Sequence, residues 1–143
     1  MRLTVFEFPA SSRTVTSSET GPAATRGPSF TTGFPVFRNQ PFLKELPRFI
    51  LSDVGVHVLD VARFLFGEAS FVAARVRTVQ HDVRGEDVAT VLLTMGEGVD
   101  VVVELSFATV LEADPFPETL VRVEGTDGTL ALEPGCRLRR TDR

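Results

Sequence analysis

The spacing of apolar residues along the chain changes once, at Gly67. Ahead of it, residues 52–66 read Ser-Asp-Val-Gly-Val-His-Val-Leu-Asp-Val-Ala-Arg-Phe-Leu-Phe. That run is long and apolar enough for a packed helix, and a glycine stands where helices commonly end. Beyond Gly67 the period shortens to two, and residues 72–79, 87–94, 99–107, 119–124, 129–132 and 137–141 read as six strands. In the third of these, Val99, Val101, Val103 and Leu105 point one way while Asp100 and Glu104 point the other. Met95-Gly96-Glu97-Gly98, Thr126-Asp127-Gly128 and Pro134-Gly135 are short turn sequences between strands. Links this short join antiparallel neighbours, because a parallel crossover needs about a dozen residues or more. The expected fold class is α+β, an open and mainly antiparallel β-sheet with helices packed on one face.

The N-terminal part has neither period. Residues 1–28 carry a short apolar patch from Leu3 to Phe8 and are otherwise rich in Ser, Thr, Pro and Gly. Such a stretch buries too little apolar surface to offset its ordering entropy. The expected division is therefore a disordered or unrelated segment over 1–28 and one folded domain over 29–143. Residues 29–50 hold Phe30, Phe34, Phe37, Phe42 and Phe49, expected to pack beneath the main helix as core. Pro35, Pro41 and Pro47 limit helix there to a short piece.

Composition narrows the function classes. The 143 residues are 43% hydrophobic and 24% charged, ordinary for a globular protein, with a net charge of −4 that gives no reason to expect nucleic acid. No apolar run approaches the roughly 18 residues of a membrane span. A single cysteine, Cys136, allows no internal disulfide and suits a reducing compartment, so a cytoplasmic location is expected. Lys44 is the one lysine among fifteen Lys and Arg residues. No glycine-rich dinucleotide turn, no phosphate-cradling Gly-Lys-Ser/Thr loop and no recognisable Ser or Cys nucleophile context occurs.

The candidate chemistry lies in the helical run. Asp53, His57 and Asp60 stand at i, i+4 and i+7, and at about 100° per residue they share one narrow stripe. Two carboxylates and an imidazole in line on an otherwise apolar segment are poorly explained by packing, since unpaired charge is costly to bury. Plainer readings stay open at this point. Asp53 follows Ser52 at the helix start, where both residue types are favoured caps. His57 fits a satisfied core or surface histidine, and Asp60 is spaced to pair with Arg63 for a few tenths of a kcal/mol. A metal site would need further ligands from elsewhere, where His81 is the other histidine, and none is assigned.

Asp53-Val54-Gly55-Val56-His57-Val58-Leu59-Asp60, followed by Arg63 and Gly67, resembles the D-x-G-x-H-x-x-D signature of the Gfo/Idh/MocA oxidoreductases, which include glucose–fructose oxidoreductase and inositol dehydrogenase. Gly85-Glu86-Asp87-Val88-Ala89 and the turn Gly125-Thr126-Asp127-Gly128-Thr129-Leu130 are similar to later parts of the same family. The resemblance covers roughly residues 30–141 and only the C-terminal domain. It implies a parent enzyme in which an N-terminal Rossmann domain binds NAD or NADP and an α+β domain supplies the site for a sugar or polyol. By the resemblance, His57 matches the catalytic histidine that moves the proton of the substrate hydroxyl. Asp53 matches the aspartate that orients or assists it, and Asp60 a supporting or substrate-binding aspartate. The family's glycine-rich turn and its Glu-Lys-Pro lysine have no counterpart here, and Lys44 does not stand in that context. No cofactor is therefore expected to bind this chain alone.

Two readings follow. In the first, the chain is the substrate-binding and oligomerisation domain of such an oxidoreductase, inactive by itself, assembling as a homo-oligomer through its open sheet face. That face is expected to mix Ala73, Val79, Val88, Leu92, Val102, Leu130 and Leu132 with Arg75, Arg77, Asp100, Glu104, Arg122 and Glu124. In the alternative, it is a non-catalytic binding or assembly module that uses the same face.

Overall fold

The structure is a computed structural model that describes residues 1–8, 35–109 and 118–143. Seven strands form one sheet: β1 (Arg2–Phe8), β2 (Ala69–Arg77), β3 (Val88–Met95), β4 (Asp100–Ser106), β5 (Glu118–Gly125), β6 (Gly128–Glu133) and β7 (Arg137–Asp142). The order across the sheet is β2-β3-β4-β1-β5-β6-β7. Every neighbouring pair is antiparallel except β1 and β4, which run parallel. The helical layer comprises α1 (Pro35–Asn39), a 3₁₀ turn (Pro41–Glu45), a π-turn (Leu51–Gly55) and α2 (Val56–Phe66). The α+β class with an open, mainly antiparallel sheet is what the hydrophobic pattern indicates, and all six strands expected from alternation are present.

One expectation is corrected by β1. Arg2–Phe8 belongs to the stretch read as a disordered or unrelated arm, yet it pairs with both β4 and β5, with Val5 opposite Val103 and Val121. The apolar patch from Leu3 to Phe8 gains a strand on each side there, and ladder pairing offsets the ordering entropy that a solvated arm would keep. The rest of that stretch lies outside the described residues.

The core forms where the helical layer covers β3 and β4. Ala89, Val91, Leu93 and Met95 of β3 and Val101, Val103 and Leu105 of β4 are buried on one face, together with Leu43, Phe49, Ile50, Val58 and Ala62 from the helical side. Phe37, Phe49 and Phe107 cluster, with ring centroids 4.6 to 6.2 Å apart. Of the five phenylalanines expected in the core, Phe37 and Phe49 are buried, Phe42 is exposed, and Phe30 and Phe34 lie outside the described residues. Gly67 closes α2 with φ 78°, a backbone angle that favours glycine.

The helical layer does not span the whole sheet. Val72 and Val76 of edge strand β2 share the covered face by register with Leu93 and Ala89, yet both are exposed. Leu130 and Leu132 are opposite Val123 and Val121, which pack against the core. They therefore lie on the helix side, not on the open face where the sequence reading put them. Val79 falls beyond the end of β2.

A loop over residues 78–87 ties the two layers together. Asp87 is fully buried, and its carboxylate accepts the backbone N–H groups of Val79 and Gln80 at 2.7 and 2.8 Å. Its own backbone joins Arg77 O and Phe107 N. Gly85 passes so close to the helical layer that a Cβ there would stand 2.5 Å from Leu46 O and 2.6 Å from Phe49 N. Both are backbone atoms and cannot swing aside. Gly85→Ala is therefore expected to lower stability by about 2–3 kcal/mol, read as a shift of the urea unfolding midpoint. A wild-type midpoint would show that the layers separate freely at this point.

Candidate active site

The Asp53, His57 and Asp60 stripe is carried by one continuous helical run with an irregular first turn. Val56 N donates to Leu51 O five residues back, so Asp53 sits in a π-turn, a feature frequent at functional sites. Gly55 is buried against β4; a Cβ there would stand 3.2 Å from Leu105 Cδ1. The glycine inside the signature thus lets the helix start press onto the sheet. From that point Val58 and Ala62 face the core, with Leu59 and Phe66 partly buried beside it.

The opposite side of α2 is open. His57 and Asp60 are exposed and Asp53 is half-buried. Val56, Val61 and Leu65 are each close to half exposed, and Phe64 is 87% exposed. The helical run was expected to be buried apart from its polar stripe. It is instead buried on one side only, and the stripe shares the open side with large apolar residues. At about 100° per residue Phe64 lies only about 20° from His57 around the helix.

Electrostatics couples two members of the stripe. Burial pushes the Asp53 carboxyl above its ordinary value, and the nearby positive charge of His57 pulls it back part of the way. Asp60 is near enough to Arg63 to favour its charged form, but Arg63 is engaged by Glu68 through Nε at 3.2 Å and through Nη2. The Asp60–Arg63 pair considered from spacing is thus displaced by a pair at the helix end.

The capping reading of Asp53 is not realised. Neither Ser52 nor Asp53 caps the run; Leu51 N donates to the Glu86 side chain at 3.2 Å and Ile50 N to Glu86 O at 3.0 Å. Glu86, 8% exposed, was not singled out as a site residue. Its available signal was a pair of adjacent acids, Glu86 and Asp87, between a glycine and an apolar strand. Lys44 is held by Asp82 at 2.7 Å and lies over the Phe37 ring. Among the described residues no three His, Cys, Asp or Glu side chains are grouped to hold a metal ion, and no helix is long and apolar enough to cross a membrane.

The start of the helical run is not arranged to hold a pyrophosphate. A helix N-terminus holds a pyrophosphate with free backbone N–H groups. At the start of this run, Ile50 and Leu51 donate to Glu86, and Ser52 and Asp53 to Phe49 O.

An open, mainly antiparallel sheet with a one-sided helical layer, bearing Asp53 and His57 on that layer's outer side, defines an α+β domain. The profile of the GFO/IDH/MocA C-terminal domain matches residues 27–131, and the chain belongs to that family. It is 48% identical over 113 residues to a D-apiose dehydrogenase of Rhizobium rhizogenes, covering 79% of this chain and 33% of that protein. A D-apiose dehydrogenase of Paraburkholderia graminis is 48% identical over 110 residues, covering 77% and 29%. Among solved structures, an oxidoreductase from Agrobacterium radiobacter in complex with NAD+, L-tartaric acid and magnesium superposes with a TM-score of 0.78 at 37% identity, covering 99% of this chain and 34% of that one. The chain thus spans about a third of the length of the relatives it matches.

The raised Asp53 carboxyl carries a stability consequence. A group whose folded pKa lies above its unfolded value stabilises the fold fully below the unfolded value and loses that contribution as pH rises through the folded one. Ionised Asp53 is therefore a burden on the fold at neutral pH. Asp53→Asn is expected to raise stability at pH 7 by less than about 1 kcal/mol, given the solvent around the group. The gain should shrink toward zero by pH 3. Urea unfolding at the two pH values checks this, and an equal or opposite effect at pH 7 would contradict it.

Proposed function

We propose that this chain is the substrate-side domain of an NAD(P)-dependent oxidoreductase acting on a CH–OH group of a sugar or polyol. The observation that carries the reading is the Asp53–His57 pair on the open side of α2, beside exposed Phe64. Imidazole is the side chain suited to moving protons near neutral pH. In this reading His57 takes the proton of the substrate hydroxyl during oxidation and returns one in the reverse direction. Asp53 orients the ring and balances its charge, and Asp60 supports the substrate end of the stripe. The nicotinamide cofactor is held by a domain other than this one, and the apolar residues around His57 pack against that domain. D-apiose, the sugar in the names of two relatives, is the first substrate to assay. The protein works in the cytoplasm, where the exposed thiol of Cys136 stays reduced.

In a chain of the relatives' full length, His57→Ala is expected to lower turnover by about 10²–10⁴-fold and to leave NAD+ affinity unchanged. The domain alone is expected to show no NAD+ binding in calorimetry. Undiminished turnover would return His57 to a structural role, and micromolar binding by the domain alone would place the cofactor here after all.

The open sheet face supports self-association, the property that a purely non-catalytic assembly module would share. Ala73, Leu92 and Val102 lie in one row across β2, β3 and β4. Arg75 and Glu104 stand in the row on one side, both opposite Thr90, and Phe71 and Asp100 in the row on the other. An apolar row between charges of both signs suits a two-fold copy of itself, with the arginine edge of one sheet over the acidic strand of the next. Light scattering is expected to give a dimer or larger, and Leu92→Asp to return it to the 15.6 kDa monomer. A monomeric wild type across micromolar concentrations would remove the proposal.

A further inference from the structure

A helix start leaves backbone N–H groups that need acceptors. In most helices a Ser, Thr, Asp or Asn at the first position supplies one. This run offers Ser52 and Asp53, and neither is used. Ser52 N and Asp53 N donate to Phe49 O at 3.1 and 2.9 Å. The two preceding N–H groups are met from far along the chain, Ile50 N by Glu86 O at 3.0 Å and Leu51 N by Glu86 Oε1 at 3.2 Å. The site's π-turn begins at that same Leu51. Glu86 is held in place by its neighbours, because Gly85 is wedged against Leu46 and Phe49 and Asp87 is anchored through Val79 and Gln80.

We infer that Glu86 is a positioning residue for the Asp53–His57 pair: by capping the helix start in place of Asp53, it leaves the Asp53 carboxylate available to His57. The inference rests on the acid–base reading of that pair, but its test does not. Without the Glu86 acceptor, the turn ahead of Asp53 loses an anchor and frays. Asp53 then becomes the first well-suited cap, and its carboxylate turns toward the amides of Gly55 and Val56, away from His57. Asp60 and Arg63 share the helix with the pair, and the loop that carries Glu86 also holds His81, Asp82, Arg84 and Asp87, of which Asp82 is paired with Lys44 and Asp87 with the amides of Val79 and Gln80; the substitution changes none of these residues.

Carbon-13 NMR of the whole chain reads this directly. The Asp53 carboxyl can be followed through its titration, and the two histidines provide a probe, His57, and an internal reference, His81. Glu86→Ala is expected to lower the Asp53 midpoint, because amide donors favour the ionised form, and to abolish the inflection of the His57 ring signals at the Asp53 titration. Glu86→Gln keeps an acceptor at the same place and is expected to restore both. An unmoved Asp53 midpoint with the His57 inflection intact in Glu86→Ala would overturn the inference, as would a Gln variant that behaves like Ala. Should Glu86→Ala fail to fold, Asp53→Ala decides. Amide exchange at Leu51 and Ser52 is expected to match wild type, since Asp53 does not cap. Acceleration of roughly fivefold or more, the size a lost cap produces, would identify Asp53 as the cap and end the proposal. Failure of the acid–base reading would appear separately, as a full-length His57→Ala enzyme with normal turnover.

Discussion

The buried carboxylates of Glu86 and Asp87 join the start of the helical run to the ends of β2 and β4, beside the core that already brings these parts together. Asp87 fastens the loop to the end of β2 through Arg77, Val79 and Gln80, and to the end of β4 through Phe107. Glu86, the residue before it, reaches across to the start of the helical run. Carboxylates are rarely placed in an interior, because leaving water is costly unless donors replace it. The donors here are backbone N–H groups, of Leu51 at the helix start and of Val79 and Gln80 just past β2. These contacts anchor the turn ahead of Asp53, and Gly85 and Gly55 allow the layers to close there.

Much of the fold was legible because its signals are local. The alternation from Val99 to Leu105 requires one buried face, and β4 buries those residues. The helix stops at Gly67, where the pattern ends. What could not be read depends on partners far away in sequence. The patch from Leu3 to Phe8 looks marginal beside its Ser- and Thr-rich neighbours; only the gap between β4 and β5 makes it a strand. The face occupied by Leu130 and Leu132 is set by the β5–β6 register, which alternation within β6 alone does not specify.

The site was legible to the same depth. Spacing alone placed Asp53, His57 and Asp60 on one side of a helix, since that is a property of a few consecutive turns. Whether Asp53 capped the helix or faced His57 could not be settled from spacing, because both roles suit an aspartate at that position. The acceptors that the helix start uses come instead from Glu86, a loop residue that spacing does not connect to it.

The two faces of the domain answer different demands. On the open sheet face, apolar and charged side chains alternate at strand spacing, as on a sheet face not covered by its own helices. On the outer side of α2 the conflict is sharper. Phe64 stands in water and Asp53 is partly withdrawn from it, each against its own preference. An isolated domain gains nothing from either arrangement. Both become favourable if another surface closes over the helix, since closure would bury Phe64 and strengthen the attraction between Asp53 and His57 as water leaves. Local conflicts of this kind are expected where a fold serves a site rather than its own stability, and here they coincide on the face that carries the histidine.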